Sequence, residues 1–304
     1  MVALVLALAG CGNSEARAPE PSLPASTPSA GFWDHWGDGR AEIDGYRLLQ
    51  PRYGELRRGE AVQIWVTETF TAAHRVKSDG GHPDEFPVLK LNEVRHFQTG
   101  IYDYHVLTST FVRLDGLEVV GRPTKVSQSV QEWCGHVYEE WVGFGSFYQR
   151  LRRSYFDGEN DLDARLEVPA DGVLADAGPF LARGLPAGLP AGEVGWLPTI
   201  LDGRFAHQEP TWGRASWTVG AEEEVTVPAG VFRVDPVTVT PATGLGATWW
   251  VETAAPHRIV KWTRPNGEKA ELTGSIRVPY WSQHAEGDEA LRHQLGLGDP
   301  SWVE

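Results

Sequence analysis

The chain has 304 residues, 41% of them hydrophobic and 22% charged, which is enough apolar material for a sizeable core and too much for a disordered chain. Its 27 Lys and Arg stand against 41 Asp and Glu, a formal charge of −14 that repels other polyanions and excludes nucleic acid as the expected ligand. The 34 glycines, 21 prolines and 13 tryptophans lean toward a turn-rich, aromatic-rich β-protein, and no apolar run reaches the roughly 18 to 20 residues of a membrane-spanning helix.

Residues 1–10, Met-Val-Ala-Leu-Val-Leu-Ala-Leu-Ala-Gly, form an uncharged apolar run of signal-peptide length with no Lys or Arg before it. The run ends at Cys11, and Leu8-Ala9-Gly10-Cys11 resembles the bacterial lipobox, in which the cysteine thiolate takes a diacylglyceryl group before cleavage leaves it as the first residue. The resemblance implies that Cys11 is a lipid anchor, made effectively permanent by its two or three acyl chains. Gly12, rather than an Asp, follows the cysteine, which in the best-studied sorting systems implies the outer membrane. Residues 11–31, with Pro19, Pro21, Pro24 and Pro28 and little apolar bulk, read as the lipidated cysteine and a disordered tether. Extended as polyproline II, such a tether reaches about 60 Å.

From Phe32 onward, alternating runs bounded by Gly, Pro, Asp and Asn predict antiparallel strands joined by tight turns. Val62, Ile64 and Val66 alternate with Gln63, Trp65 and Thr67, and a second run extends from Ile101 to Leu114. Lys125 to Val142 suits one bent strand or two, with Val126, Val130, Cys134 and Tyr138 on one face. Phe147 to Phe156 follows, closed by a turn at Asp157-Gly158-Glu159-Asn160. The pattern changes at Asp171–Leu185, where Val173, Leu174, Ala177, Phe180 and Leu181 fall at helical spacing around Pro179, predicting one kinked helix. After a Gly/Pro/Leu linker the strands resume at Trp212–Val219, Glu222–Val227, Val231–Thr240, Ala247–Thr253, Arg258–Arg264 and Glu268–Ile276. The resulting organisation is a signal peptide (1–10), an anchored tether (11–31), an N-terminal β-rich part (32–165), a helix and linker (166–198), a C-terminal β part (199–285) and a polar tail (286–304).

The run Val225–Val234 with its Pro228-Ala229-Gly230 hairpin, then Thr248-Trp249-Trp250-Val251-Glu252 and Pro256–Trp262, resembles the C-terminal half of periplasmic half-barrel proteins of unknown function, relatives in shape of the lipoprotein carriers. That resemblance implies a mainly β fold, a curved antiparallel half-barrel wrapped around one helix, and it carries no catalytic residue. The region Phe32–Gly158, through Phe32-Trp33-Asp34-His35-Trp36, Phe86–Asn92 and Gln131-Glu132-Trp133-Cys134-Gly135-His136, is similar to bacterial envelope lipoproteins of unassigned function. Some of these carry the label septum formation inhibitor (Maf). True members of that family are nucleotide pyrophosphatases with a Ser-x-Ser-Pro-Arg-Arg motif, and the nearest segment here, Leu48-Leu49-Gln50-Pro51-Arg52-Tyr53, lacks the serines and the second arginine.

Several side-chain groups invite a chemical reading. Lipidation of Cys11 leaves Cys134 as the one free thiol, either a small buried hydrophobe under an aromatic sheet or, with His136, part of a metal site or Cys/His dyad that needs a third group. Asp157, Glu159, Asp161 and Asp163 form a solvated hairpin turn or an oxygen-rich cation loop, although their spacing is not that of an EF-hand. The ten histidines show no metal-ligand spacing, and no phosphate loop, dinucleotide glycine pattern or nucleophile elbow occurs, so neither a metal nor a cofactor is expected. The tryptophans either fill a curved sheet, line a lipid cavity or stack on sugars. As lining candidates we single out Trp249, Trp250, Trp133 and Tyr138. The expectation is a lipid-anchored, outer-membrane protein with a non-catalytic role, binding a hydrophobic ligand or an envelope protein. An envelope hydrolase, a carbohydrate-binding protein and a purely structural interaction module are the alternatives.

Overall fold

The computed structural model describes residues 23–159 and 161–298; Cys11, the signal run and the first half of the expected tether lie outside them. The chain builds β1 (Ala41–Arg52), β2 (Glu55–Thr71), β3 (Glu85–Thr99), β4 (Tyr102–Arg113), β5 (Lys125–Glu132), β6 (Gly135–Gly143), β7 (Phe147–Ser154) and β8 (Leu162–Glu167) as one meander. A short strand β9 (Gly172–Leu174), a 3-10 turn (Ala175–Ala177) and a helix (Gly178–Ala182) lead to β10 (Val194–Leu197) and a second helix (Ile200–Ala206). The remaining strands are β11 (Gly213–Val219), β12 (Glu223–Val227), β13 (Gly230–Pro241), β14 (Ala247–Glu252), β15 (Ile259–Thr263) and β16 (Lys269–Val278).

These strands form one large, curved, unclosed sheet. The last strand, β16, pairs antiparallel with the first, β1, so the two meanders share a seam in the middle of the sheet, while β8 and β9 are its two ends. Pairing is antiparallel throughout except between β9 and β10. The antiparallel strands expected from the alternation and turns, and the curved half-barrel implied by the resemblance, are thus the observed fold. No helix among the described residues is long and apolar enough to cross a membrane.

The concave face holds the main core. Tyr46 and Leu48 of β1, Trp65 of β2, Leu89 and Leu91 of β3, and Trp249, Ile259, Trp262 and Leu272 of β14–β16 pack on Phe180 and Leu181 of the short helix. The rings of Trp65 and Phe180 meet edge to face, 4.9 Å between centroids. Gly178 sits under Trp249 so closely that an added Cβ would lie 2.8 Å from the indole. The sheet therefore does wrap a helix, but that helix is shorter than the predicted 171–185. Gly172–Leu174 pairs with β10 instead, and Pro179 lies in the first turn of the helix, where its missing N–H costs nothing, rather than kinking its middle.

A buried ion pair supports the same face. Arg183, at the end of the helix, donates to Glu42 of β1 (2.7 Å), both side chains being essentially inaccessible. Its guanidinium also lies over the Trp65 ring, 4.5 Å from the centroid. Burial works to raise the Glu42 carboxyl, but Arg183 and His35 outweigh it and hold the group well below the ordinary carboxylate range. Asp44, two residues on, is pushed upward by burial and by the Glu42 charge.

Both ends of the chain pack more than their composition suggests. Leu23 is buried in the main core, Ala25 bridges Val119, and Ser26 donates through its backbone N–H to Glu118 O at 2.8 Å, so residues 23–31 belong to the folded body rather than to a tether. At the other end Leu295 and Leu297 are buried against Ala41, Ile43 and Val66 on the convex face, so the polar tail is anchored by two leucines. Val62 and Ile64 of β2 face this tail, while Trp65 points into the main core.

Candidate functional site

The concavity contains a partly open pocket at the junction of the two meanders and the helical segment. The apolar wall comes from Leu91 of β3, Val239 of β13, Leu245 of the β13–β14 loop, Trp249 of β14, Trp262 of β15, Trp196 of β10 and Leu201 of the second helix. Strand alternation explains the grouping: Leu91, Glu93 and Arg95 are successive inward residues of β3, and Thr108 and Thr110 are the inward residues of neighbouring β4. Trp217 stacks on Trp249 (centroids 6.0 Å apart, planes 18°) and meets Trp196 edge-on at 5.8 Å, bracing the aromatic wall from behind.

The polar end is a charge network that is almost entirely satisfied within itself. Arg95 donates to Glu93 (2.8 Å) and Gln50 (2.7 Å) and pairs with Glu268 at 3.0 Å. Arg264 is bidentate to Asp202 (2.8 and 2.7 Å), and Trp262 Nε1 donates to Glu268 at 2.9 Å. Burial works to raise Glu268, but the guanidiniums of Arg95 and Arg264 hold its carboxyl below the usual value, so it stays ionised and paired. Asp176 differs. Buried in the pocket wall and close to the charge of Asp202, it is pushed up to about 8, and it accepts a long hydrogen bond from the Ile200 amide, 3.4 Å. The pocket therefore offers large apolar faces, threonine hydroxyls and a neutral carboxylic acid, with its ion pairs already matched.

Of the expected lining residues, Trp249 forms the pocket wall. Trp250, on the opposite face of β14, donates to Glu223 (2.5 Å) and carries Lys261 over its ring at 4.5 Å. Trp133 is 70% exposed in the two-residue turn between β5 and β6, and Tyr138 is half-buried with its hydroxyl donating to Glu140 (2.8 Å). The structure does not bring these three to the pocket. Cys134 shares that turn and is exposed, as is His136. The expectation of a buried thiol is thus overturned, because residues 125–142 fold as two strands with Trp133-Cys134 at the reversal. The hydrogen bond to Glu132 and the charge of that carboxylate push the thiol up, away from the thiolate.

The acidic run does not converge on one point. Glu159 turns inward to Arg204 (2.9 Å) and His207 Nδ1 (2.5 Å), while Asp163 bonds Gln149 on β7. Ser154 Oγ donates to the other oxygen of Glu159 at 3.0 Å. A serine, a histidine and a carboxylate are thereby adjacent, yet hydroxyl and imidazole both attach to the carboxylate and not to each other, the opposite of a nucleophile activated by a base.

The pocket residues Arg95, Asp176, Trp196, Leu201 and Arg264 were not singled out from the sequence; they come from separate elements, and no local spacing marks them. Comparison with known proteins yields no match: no family model, no curated protein and no solved structure is significantly similar to this chain.

Proposed function

We propose that this chain is an envelope lipoprotein, held at the outer membrane through Cys11, whose curved sheet binds a predominantly apolar small molecule in its concave pocket and performs no chemistry on it. The observation that carries the reading is the pairing of an indole-walled, partly open pocket with a polar end whose ion pairs are already complete. Such a site gains most from burying an apolar ligand and has no unpaired charge with which to select an ionic one. The neutral acid of Asp176 supplies one directional hydrogen bond to a carbonyl or hydroxyl on that ligand. The lipobox-like Leu8–Cys11 supports the membrane attachment, and the Ser154–Glu159–His207 geometry gives a hydrolytic reading no activated nucleophile.

Titration of the full-length protein with the hydrophobic fluorophore N-phenyl-1-naphthylamine tests the binding. The expected result is saturable fluorescence with energy transfer from tryptophan, weakened at least tenfold by Ala247→Phe, which fills the pocket from β14. Unsaturable partitioning, or equal binding by a folded Ala247→Phe variant, contradicts the proposal.

A further inference from the structure

On the convex face, opposite the pocket, the hairpin of β3 and β4 places His96 directly across from His105. Asp103, two residues before His105, lies on the same face of the sheet. The two imidazoles stack with planes 10° apart and centroids 4.6 Å apart. Asp103 Oδ2 lies 3.9 Å from His96 Nε2, and one ligand atom from each of the three side chains lies within 4.8 Å of the others.

From this geometry we infer that His96, Asp103 and His105 form a site for a borderline divalent transition-metal ion, of the zinc or copper(II) class. Two neutral imidazoles and a carboxylate are the ligand set such ions prefer, whereas calcium and magnesium require more oxygen ligands. A tetrahedral ion with bonds of about 2.0–2.1 Å separates neighbouring ligand atoms by about 3.3 Å. The side chains therefore need to close by about 1.5 Å at most, through χ rotations of residues that are open to solvent, while the strand pairing already holds their Cβ atoms at cross-strand distance. Three protein ligands leave a fourth position for water or an exogenous group.

Neighbouring strands limit the site to these three. Glu60, opposite His96 on β2, is committed to the C-terminal segment through the Gly298 amide and Arg292. On the other side Gln131 separates His105 from His136, so His136 lies two strands away, about 10 Å at the usual strand spacing.

Isothermal titration of the full-length protein with zinc ion alone tests the inference. One equivalent is expected to bind, weakened at least tenfold by His105→Gln and by Asp103→Asn but not by His136→Gln, with magnesium giving no heat. These residues are solvent-accessible, so circular dichroism should report an unchanged fold for each variant. No zinc binding by the wild type, binding unchanged in His105→Gln, or loss in His136→Gln alone overturns the assignment.

Discussion

Gly45 of β1 faces Gly274 of β16 across the central seam of the sheet, and the backbone of Gln294 and Leu295 lies directly on both. A Cβ at either glycine would come closer to a main-chain carbonyl of that segment than side chains are ever found, so the missing side chains are what allow the C-terminal segment to seat. Gly274→Ala should then cost about 1–3 kcal/mol, the usual penalty for overpacking, and should expose residues 280–298. Limited proteolysis reads this out as early cleavage beyond Val278 in the variant; equal cleavage rates in both proteins would show that the glycines are not required for docking.

The buried Glu42–Arg183 pair predicts an asymmetry between single and double substitutions. Arg183→Met leaves Glu42 and Asp44 without their buried cation and should cost about 3–5 kcal/mol, most of it recovered when Glu42→Gln is added. Because the folded Glu42 carboxyl is depressed, its contribution is present above the ordinary value of 4.5 and is lost as pH falls below it. Denaturant melts across acidic pH should show a shallower loss of stability for Glu42→Gln than for wild type.

Asp176 carries the opposite sign. Its carboxyl is raised from 3.8 to about 8 in the folded protein, so the stability it contributes is full below 3.8 and is lost as pH rises through about 8, by up to roughly 1.4 kcal/mol per pH unit. Asp176→Asn removes this titration. Its Tm relative to wild type should therefore rise between pH 5 and pH 8, and a constant difference across that range would mean that Asp176 is ionised.

Anchoring makes a separate prediction. Cys11→Ala should leave the protein as a precursor that is not acylated and is not retained with outer-membrane fragments after fractionation. Continued acyl labelling of the variant contradicts the lipobox assignment.

How far the sequence could be read depended on where each residue's partners lie. The hairpin marked by Pro228-Ala229-Gly230 appears where turn chemistry placed it, between β12 and β13, because two or three adjacent residues decide a reversal. β1 escaped notice because both its faces are covered: Glu42, Asp44 and Tyr46 face the core while Ala41 and Ile43 face the C-terminal leucines, which erases the alternation of a half-buried strand. The helical spacing of Val173, Leu174 and Ala177 arose instead from a strand and a 3-10 turn in a segment buried on every side. The pocket was legible only at Trp249, since Arg95 and Arg264 come together across the seam between β1 and β16 and Asp176 reaches the wall from the 3-10 turn after β9. Likewise His96 and His105 are nine positions apart and become neighbours only through the β3–β4 register.

Native mass spectrometry of the full-length protein, released from envelope membranes in mild detergent, decides whether an apolar ligand occupies the concave pocket. A reproducible additional mass, beyond the covalent acyl chains, should be carried by the wild type and absent from a folded Ala247→Phe variant. A wild-type protein that carries no such mass in repeated preparations, or an additional mass that persists with the pocket filled, would contradict that occupancy.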